Sequence, residues 1–150
     1  MKANKSKRYI NRKIILNYMV RGYIKSETCV HFMNYHYIWC PKYRRNVLTG
    51  KIAKRTEQLI NQKIRDLNCE IITLEVMPDH IHLFVISKPT LSPNTLIGQI
   101  KGYTSRILRK EFKELRTRIP TLWTRSYFVS THGHISSEQI QAYIEEQKGK

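Results

Sequence analysis

The stretch ITLEVMPDHIHLFVI, residues 72–86, reads as two strands joined by a tight turn. Ile72, Leu74 and Val76 alternate with Thr73 and Glu75, the pattern of a strand with one buried face. Pro78 and Asp79 supply the turn, and a second apolar run over residues 81–86 returns antiparallel to the first. In that returning strand His80 and His82 are two apart and share a face, while Ile81, Leu83 and Val85 point to the other. Two imidazoles on one face can hold a cation that keeps open positions, where a substrate oxygen can bind and be polarised. The same spacing also suits surface or hydrogen-bonded histidines, and the pair alone does not decide between them.

Around this hairpin the elements alternate. Residues 30–40 are rich in aromatic and β-branched side chains and predict a strand stopped by Pro41. Ile52, Leu59, Ile60, Ile64 and Leu67 recur with a helical period over residues 51–67, entered through Thr49 and Gly50. Ser92-Pro93 is a helix start, followed by Leu96, Ile97, Ile100, Tyr103, Ile107 and Leu108 at three-to-four spacing. Tyr127, Phe128 and Val129 suggest a short fourth strand, and Ser136-x-x-Gln139 opens a last helix running to about Gln147. The order βαββαβα predicts an α+β fold of the ferredoxin-like, RRM-like kind: a four-stranded antiparallel sheet with helices on one face and a further C-terminal helix. On that last helix Ile140, Tyr143, Ile144 and Gln147 line one face. The helix either brings Tyr143 and Gln147 to a metal site together or simply packs Tyr143 and Ile144 against the sheet.

Charge narrows the partners. The 27 Lys and Arg against 11 Asp and Glu leave a net +16 over 150 residues, a field that gathers polyanions. Eight basic residues and no acid fall in the first 25 positions, so residues 1–28 read as a basic arm and residues 29–150 as the folded domain. No run of roughly 18 apolar residues spans a membrane, and no signal-peptide pattern follows the basic start, which points to a cytoplasmic protein. Cys29, Cys40 and Cys69 form no C-x-x-C pair and predict free thiols. In a regular strand Cys29 and His31 face away from His36 and Cys40, so those four are not expected to converge on zinc. A second H-x-H, His132 and His134, falls where a strand ends and reads as a loop or phosphate contact. Trp39, Lys42, Tyr43, Arg44 and Arg45 crowd one strand end, and Lys101, Tyr103, Arg106, Arg109 and Lys110 follow the second helix. Cations that neutralise phosphates beside aromatics that stack on unpaired bases suit single strands or hairpins of nucleic acid.

Taken in order, Trp39-Cys40-Pro41-Lys42-Tyr43-Arg44-Arg45, then residues 77–85, then Ser136-x-x-x-Ile140-x-x-Tyr143-Ile144-x-x-Gln147 resemble the TnpA-type single-tyrosine HUH transposases of insertion sequences that move as single-stranded DNA. The resemblance implies a ferredoxin-like core, a homodimer in which one subunit's tyrosine helix can complete the other's site, and a Mg²⁺ or Mn²⁺ ion. It implies His80, His82 and Gln147 as metal ligands and Tyr143 as the nucleophile that forms a 5′-phosphotyrosine. It also implies hairpin recognition at the element ends. The basic arm is longer than that family's usual start, and no role is carried over to it. Two other expectations stand beside this one: a domesticated relative processing chromosomal palindromes, and a non-enzymatic hairpin-binding module in which His80 and His82 are structural.

Overall fold

The computed structural model describes residues 24–25, 28–131 and 137–150; the basic segment before residue 24 and the second H-x-H at residues 132–134 lie outside them. Strand β1 (Ile24–Lys25) pairs antiparallel with β2 (Val30–His31), placing Ile24 opposite His31. The strand expected over residues 30–40 is therefore divided: β2 pairs with the end of the arm, and β3 (Met33–Trp39) enters the main sheet. The chain continues as α1 (Gly50–Asp66), β4 (Glu70–Met77), β5 (His80–Ser87), α2 (Pro93–Glu111), the short α3 (Glu114–Thr117), β6 (Phe128–Ser130) and α4 (Ser137–Glu146). The main sheet has the order β4-β5-β3-β6 and every pairing is antiparallel, as the βαββαβα order predicts.

Local chemistry explains the boundaries. Gly50 takes φ +53° at the entrance to α1, a left-handed conformation that a Cβ would resist. The Ser92 hydroxyl accepts from the Thr95 backbone N–H at 3.1 Å, capping α2 with Pro93 in its first turn. On β4 the alternation read over residues 72–76 is displaced at its start. A bulge between Ile71 and Thr73 lets Ile71, Leu74 and Val76 pack toward the core in place of an Ile72 register.

The sheet sorts its side chains by face. Tyr35, Tyr37 and Trp39 of β3 and Ile81, Leu83 and Val85 of β5 pack under α1 and α2, against Leu59, Ile60, Ile64, Leu96, Ile97, Ile100 and Leu108. Trp39, expected among the DNA-facing aromatics, is instead fully buried in an edge-on contact with Trp123 at 5.9 Å between ring centroids. Trp123 in turn donates its indole N–H to Thr104 at 3.0 Å. On the opposite face a smaller cluster joins Ile38 and Cys40 to Ile144 of α4, with Phe128 and Tyr143 packed against it. The C-terminal helix thus lies over the face that the two long helices leave open.

Because Leu83 is fully buried between sheet and helices, Leu83→Ala should lower unfolding free energy by about 2–5 kcal/mol, whereas Thr73→Ala on the exposed face should change it by under about 0.5 kcal/mol. Urea titration of the two variants checks this, and equal losses would contradict the assigned faces.

Candidate active site and nucleic-acid interface

Strand alternation puts His80 and His82 on the face away from α1 and α2, both largely covered, at 17% and 19% side-chain exposure. The Asp79 carboxylate lies 2.8 Å from His80 Nδ1. A carboxylate on one ring nitrogen fixes the tautomer and leaves Nε2 with its lone pair outward, the usual support of a metal-binding histidine. His82 sits opposite Ile38 of β3 and its Nε2 lies 3.3 Å from Nδ1 of His36. Burial lowers the pKa of His82, with Glu75 opposing and His80 adding to the effect, which favours the neutral ring that a cation needs. His36 is buried and stacked on Phe84, ring centroids 3.8 Å apart. The four-residue Cys29, His31, His36, Cys40 set does not converge, as expected, but His36 alone joins the H-x-H pair. Burial pushes the Cys40 thiol up to about 12, with Asp79 adding to it, so this cysteine is a neutral packing residue.

The C-terminal helix delivers the remaining residues. Tyr143 packs against Phe128, ring centroids 5.9 Å apart, and its hydroxyl is shielded from solvent. Burial pushes the phenol up to about 12, with Ser126 opposing the shift. Gln147 follows the last turn of α4 and is 2% exposed; its Oε1 accepts from the Ser126 hydroxyl at 2.8 Å. Ser126 therefore stands beside both residues, a role no local motif announces. Its segment is held by Lys101, whose ammonium donates to the carbonyls of Thr124, Ser126 and Arg125 at 2.6, 3.2 and 3.4 Å.

Among the described residues no three His, Cys, Asp or Glu side chains form a metal-holding group. The donor types present on this face are mixed: the imidazoles of His80, backed by Asp79, and His82, and the amide oxygen of Gln147, which here faces Ser126. Oxygen and imidazole donors with open positions suit a hard-to-borderline cation that also takes water and phosphate oxygens.

The basic residues divide into two groups. Lys101 is turned inward, Arg44 is paired with Asp79 and Glu145, and Arg109 donates to the Ile119 carbonyl at 3.3 Å, so these three serve the fold. Lys42 lies over the Tyr43 ring at 5.3 Å, and Tyr43 and Arg45 are exposed. Tyr43, Arg44, Arg45, Asn46 and Gly149 line an open cavity of about 700 Å³ together with Arg118, which sequence spacing does not connect to them. Arg106 is exposed on α2 in the layer behind the sheet, next to Tyr103, and does not share that cavity.

Comparison with known proteins gives the family. The family profile described as Transposase IS200 like matches residues 29–147, a span that holds His80, His82, Tyr143 and Gln147. The chain belongs to the IS200-like transposase family. It is 34% identical over 128 residues to the ISDra2 transposase TnpA of Deinococcus radiodurans, covering 84% of this chain and 91% of that protein. It is 30% identical over 115 residues to the transposase for insertion sequence element IS200 of Salmonella typhimurium, covering 75% of each. A crystallised transposase candidate from Deinococcus radiodurans R1 superposes with a TM-score of 0.79 at 31% identity, covering 85% of this chain and 99% of that one. Among the described residues, no helix is long and apolar enough to cross a membrane.

In this IS200-like transposase burial lowers the Lys101 ammonium from 10.5 to about 8. Between those values the unfolded chain binds the extra proton, so the lysine's contribution to stability rises with pH across that window. Lys101→Met, which strands three carbonyls, should cost about 1–3 kcal/mol. The deficit should widen between pH 8 and pH 10 in matched urea titrations; a deficit flat with pH would show that the ammonium is not buried.

Proposed function

We propose that this transposase cleaves and rejoins single-stranded DNA at the ends of an insertion sequence, with Tyr143 as nucleophile and a 5′-phosphotyrosine as intermediate. One observation supports it most directly. Tyr143 packs beside Ile38 and Cys40, and Ile38 is the cross-strand neighbour of His82, so the phenol and the imidazole pair occupy one face of one sheet.

The chemistry follows from the groups. The Tyr143 oxygen attacks phosphorus and gives up its proton; the bond from phosphorus to the 3′ oxygen breaks, leaving a 3′-OH and DNA joined to the enzyme through its 5′ phosphate. A 3′-OH from another strand reverses the step and expels the phenol, so one phosphoester replaces another and no ATP is consumed. A phenol is a poor nucleophile at neutral pH, the more so when burial raises its pKa. In this reading His80, His82 and Gln147 hold Mg²⁺ or Mn²⁺, which supplies Lewis-acid polarisation of the scissile phosphate. Lys42, Tyr43, Arg45 and Arg118 offer stacking and phosphate contacts beside the site for a hairpin or its unpaired flank. The reading includes a homodimer, in which the tyrosine helix of a partner subunit can complete the site.

Labelled single-stranded oligonucleotides copied from the DNA flanking the gene, incubated with Mn²⁺ or EDTA and run on a denaturing gel, test the chemistry. A metal-dependent covalent adduct is expected from the wild type and none from Tyr143→Phe, with hairpin affinity preserved. Tight hairpin binding without any adduct, on oligonucleotides spanning the element junction, would instead make the protein a binding module. His80→Ala should weaken Mn²⁺ binding, and Asp79→Asn should do so by ~10- to 100-fold through loss of the support on His80. Calorimetric affinities that match wild type in both would remove the histidine pair from metal binding.

A further inference from the structure

Arg44 contacts both the turn before His80 and the tyrosine helix, reaching Glu145 across 101 residues of sequence. It occupies an unusual backbone. Tyr43 and Arg44 take φ +59° and +52° in succession, left-handed values that residues bearing a Cβ resist and that persist only where the surroundings enforce them. Here the surroundings are explicit: Lys42 N–H donates to the Leu122 carbonyl at 2.8 Å, Tyr43 N–H to the Lys150 carbonyl at 2.9 Å and Arg44 N–H to the Pro41 carbonyl at 2.8 Å. A little further along, Leu48 N–H donates to the Pro78 carbonyl at 3.1 Å, fastening the same loop to the turn before His80.

This bend turns the Arg44 guanidinium inward, to 19% exposure, between two carboxylates. Its Nε lies 3.4 Å from Asp79 Oδ2 and its Nη1 3.0 Å from Glu145 Oε1. The other Asp79 oxygen faces His80 Nδ1 at 2.8 Å, and Glu145 stands two residues from Tyr143 on α4. An unbroken line of charge-assisted contacts thus runs from imidazole to carboxylate to guanidinium to carboxylate on the tyrosine helix. The second Glu145 oxygen is held by Lys148, whose Nζ lies 2.7 Å from Oε2. The planar fork of arginine engages two carboxylates in different directions, which the point charge of lysine does not reproduce.

We propose that Arg44 is a positioning residue of the transposition site, setting where the tyrosine helix lies relative to the H-x-H turn, and that its charge is committed to this clasp rather than to DNA phosphate. The proposal rests on the functional reading above for its catalytic consequence, but not for the clasp itself.

The test uses the full chain as Arg44→Gln, Arg44→Lys, Glu145→Ala and the Arg44→Gln, Glu145→Ala double variant. Backbone hydrogen exchange of α4, measured without DNA or metal, should speed up by about tenfold or more in Arg44→Gln while β5 amides keep their protection. Single-turnover adduct formation at saturating oligonucleotide and Mn²⁺ should slow by ~10- to 100-fold, the scale of a misplaced reacting group, with hairpin affinity unchanged. Arg44→Lys should not rescue, and the double variant should be no slower than Arg44→Gln, since both changes break one link. Unchanged exchange of α4 would overturn the clasp. So would a defect confined to hairpin affinity with a salt slope reduced by about one, which would make Arg44 a phosphate contact. If Arg44→Gln does not fold, Glu145→Ala reads the same link from its exposed end. If the wild type forms no adduct, the tyrosine chemistry fails while the exchange comparison still decides the clasp.

Discussion

The two-residue period of β5 is the constraint on which the rest of this protein depends. Ile81, Leu83 and Val85 are fully buried beneath α1 and α2, and their packing fixes which way every other residue of the strand points. A slip of one residue would place two imidazoles in an apolar core and expose three large aliphatic side chains, so the register is held by the hydrophobic effect rather than by the site. His80 and His82 face outward as a consequence of that core. The neighbouring strand then presents His36, Ile38 and Cys40 on the same face, and α4 settles on the apolar part of that surface, bringing Tyr143 with it.

The site that results is polar at its centre and apolar at its edge, and the two regions treat protons differently. Around the histidines the Asp79 carboxylate orients the His80 ring, and burial favours the neutral form of His82, whose Nε2 lies 3.3 Å from His36 Nδ1. Around Tyr143, burial raises the phenol's pKa and favours its protonated form at neutral pH. In the reaction proposed above, charge on the Tyr143 oxygen would develop only as the phosphate is attacked, with a counterion in place to stabilise it. Ser126 sits where these regions meet. Its hydroxyl occupies the Gln147 amide oxygen, and the Lys101 ammonium pins the backbone carrying it.

What the sequence disclosed, and what it concealed, follows from the range of the interactions. The hairpin around Pro78, the cap at Ser92 and the face of α1 are set by neighbours within a turn or a strand, and each was legible as a spacing. The histidine pair and the tyrosine helix were legible too, as ordered motifs. The bulge at Ile71 to Thr73 left no mark, because it is decided by how β4 meets β5 rather than by its own composition. Spacing along its own segment groups His36 with Cys29, His31 and Cys40, whereas its partner lies across the sheet, 46 residues away. The run of basic residues at 42–45 was the least transparent. Two residues of identical charge, Arg44 and Arg45, end up in opposite surroundings because the backbone takes two left-handed steps that no residue type there announces.

That local twist changes what the net charge of +16 means. A count of cations suggests a uniform coat for DNA, yet Lys101, Arg44 and Arg109 hold carbonyls and carboxylates within the protein itself. The cations left facing outward near the site, Lys42, Arg45 and Arg118, surround the exposed ring of Tyr43 rather than the imidazoles. On the function proposed above, phosphate neutralisation would thereby fall to one side of the face that carries His80, His82 and Tyr143, beside a ring on which a base can stack. In the proposed reaction a strand anchored there would be held by its flank, leaving the phosphate to be cut free to reach the face that carries the histidine pair and the tyrosine helix. Binding strength and chemical alignment would then rest on different arginines of the same four-residue loop: Arg45, exposed to solvent and free to meet a phosphate, and Arg44, turned inward between Asp79 and Glu145.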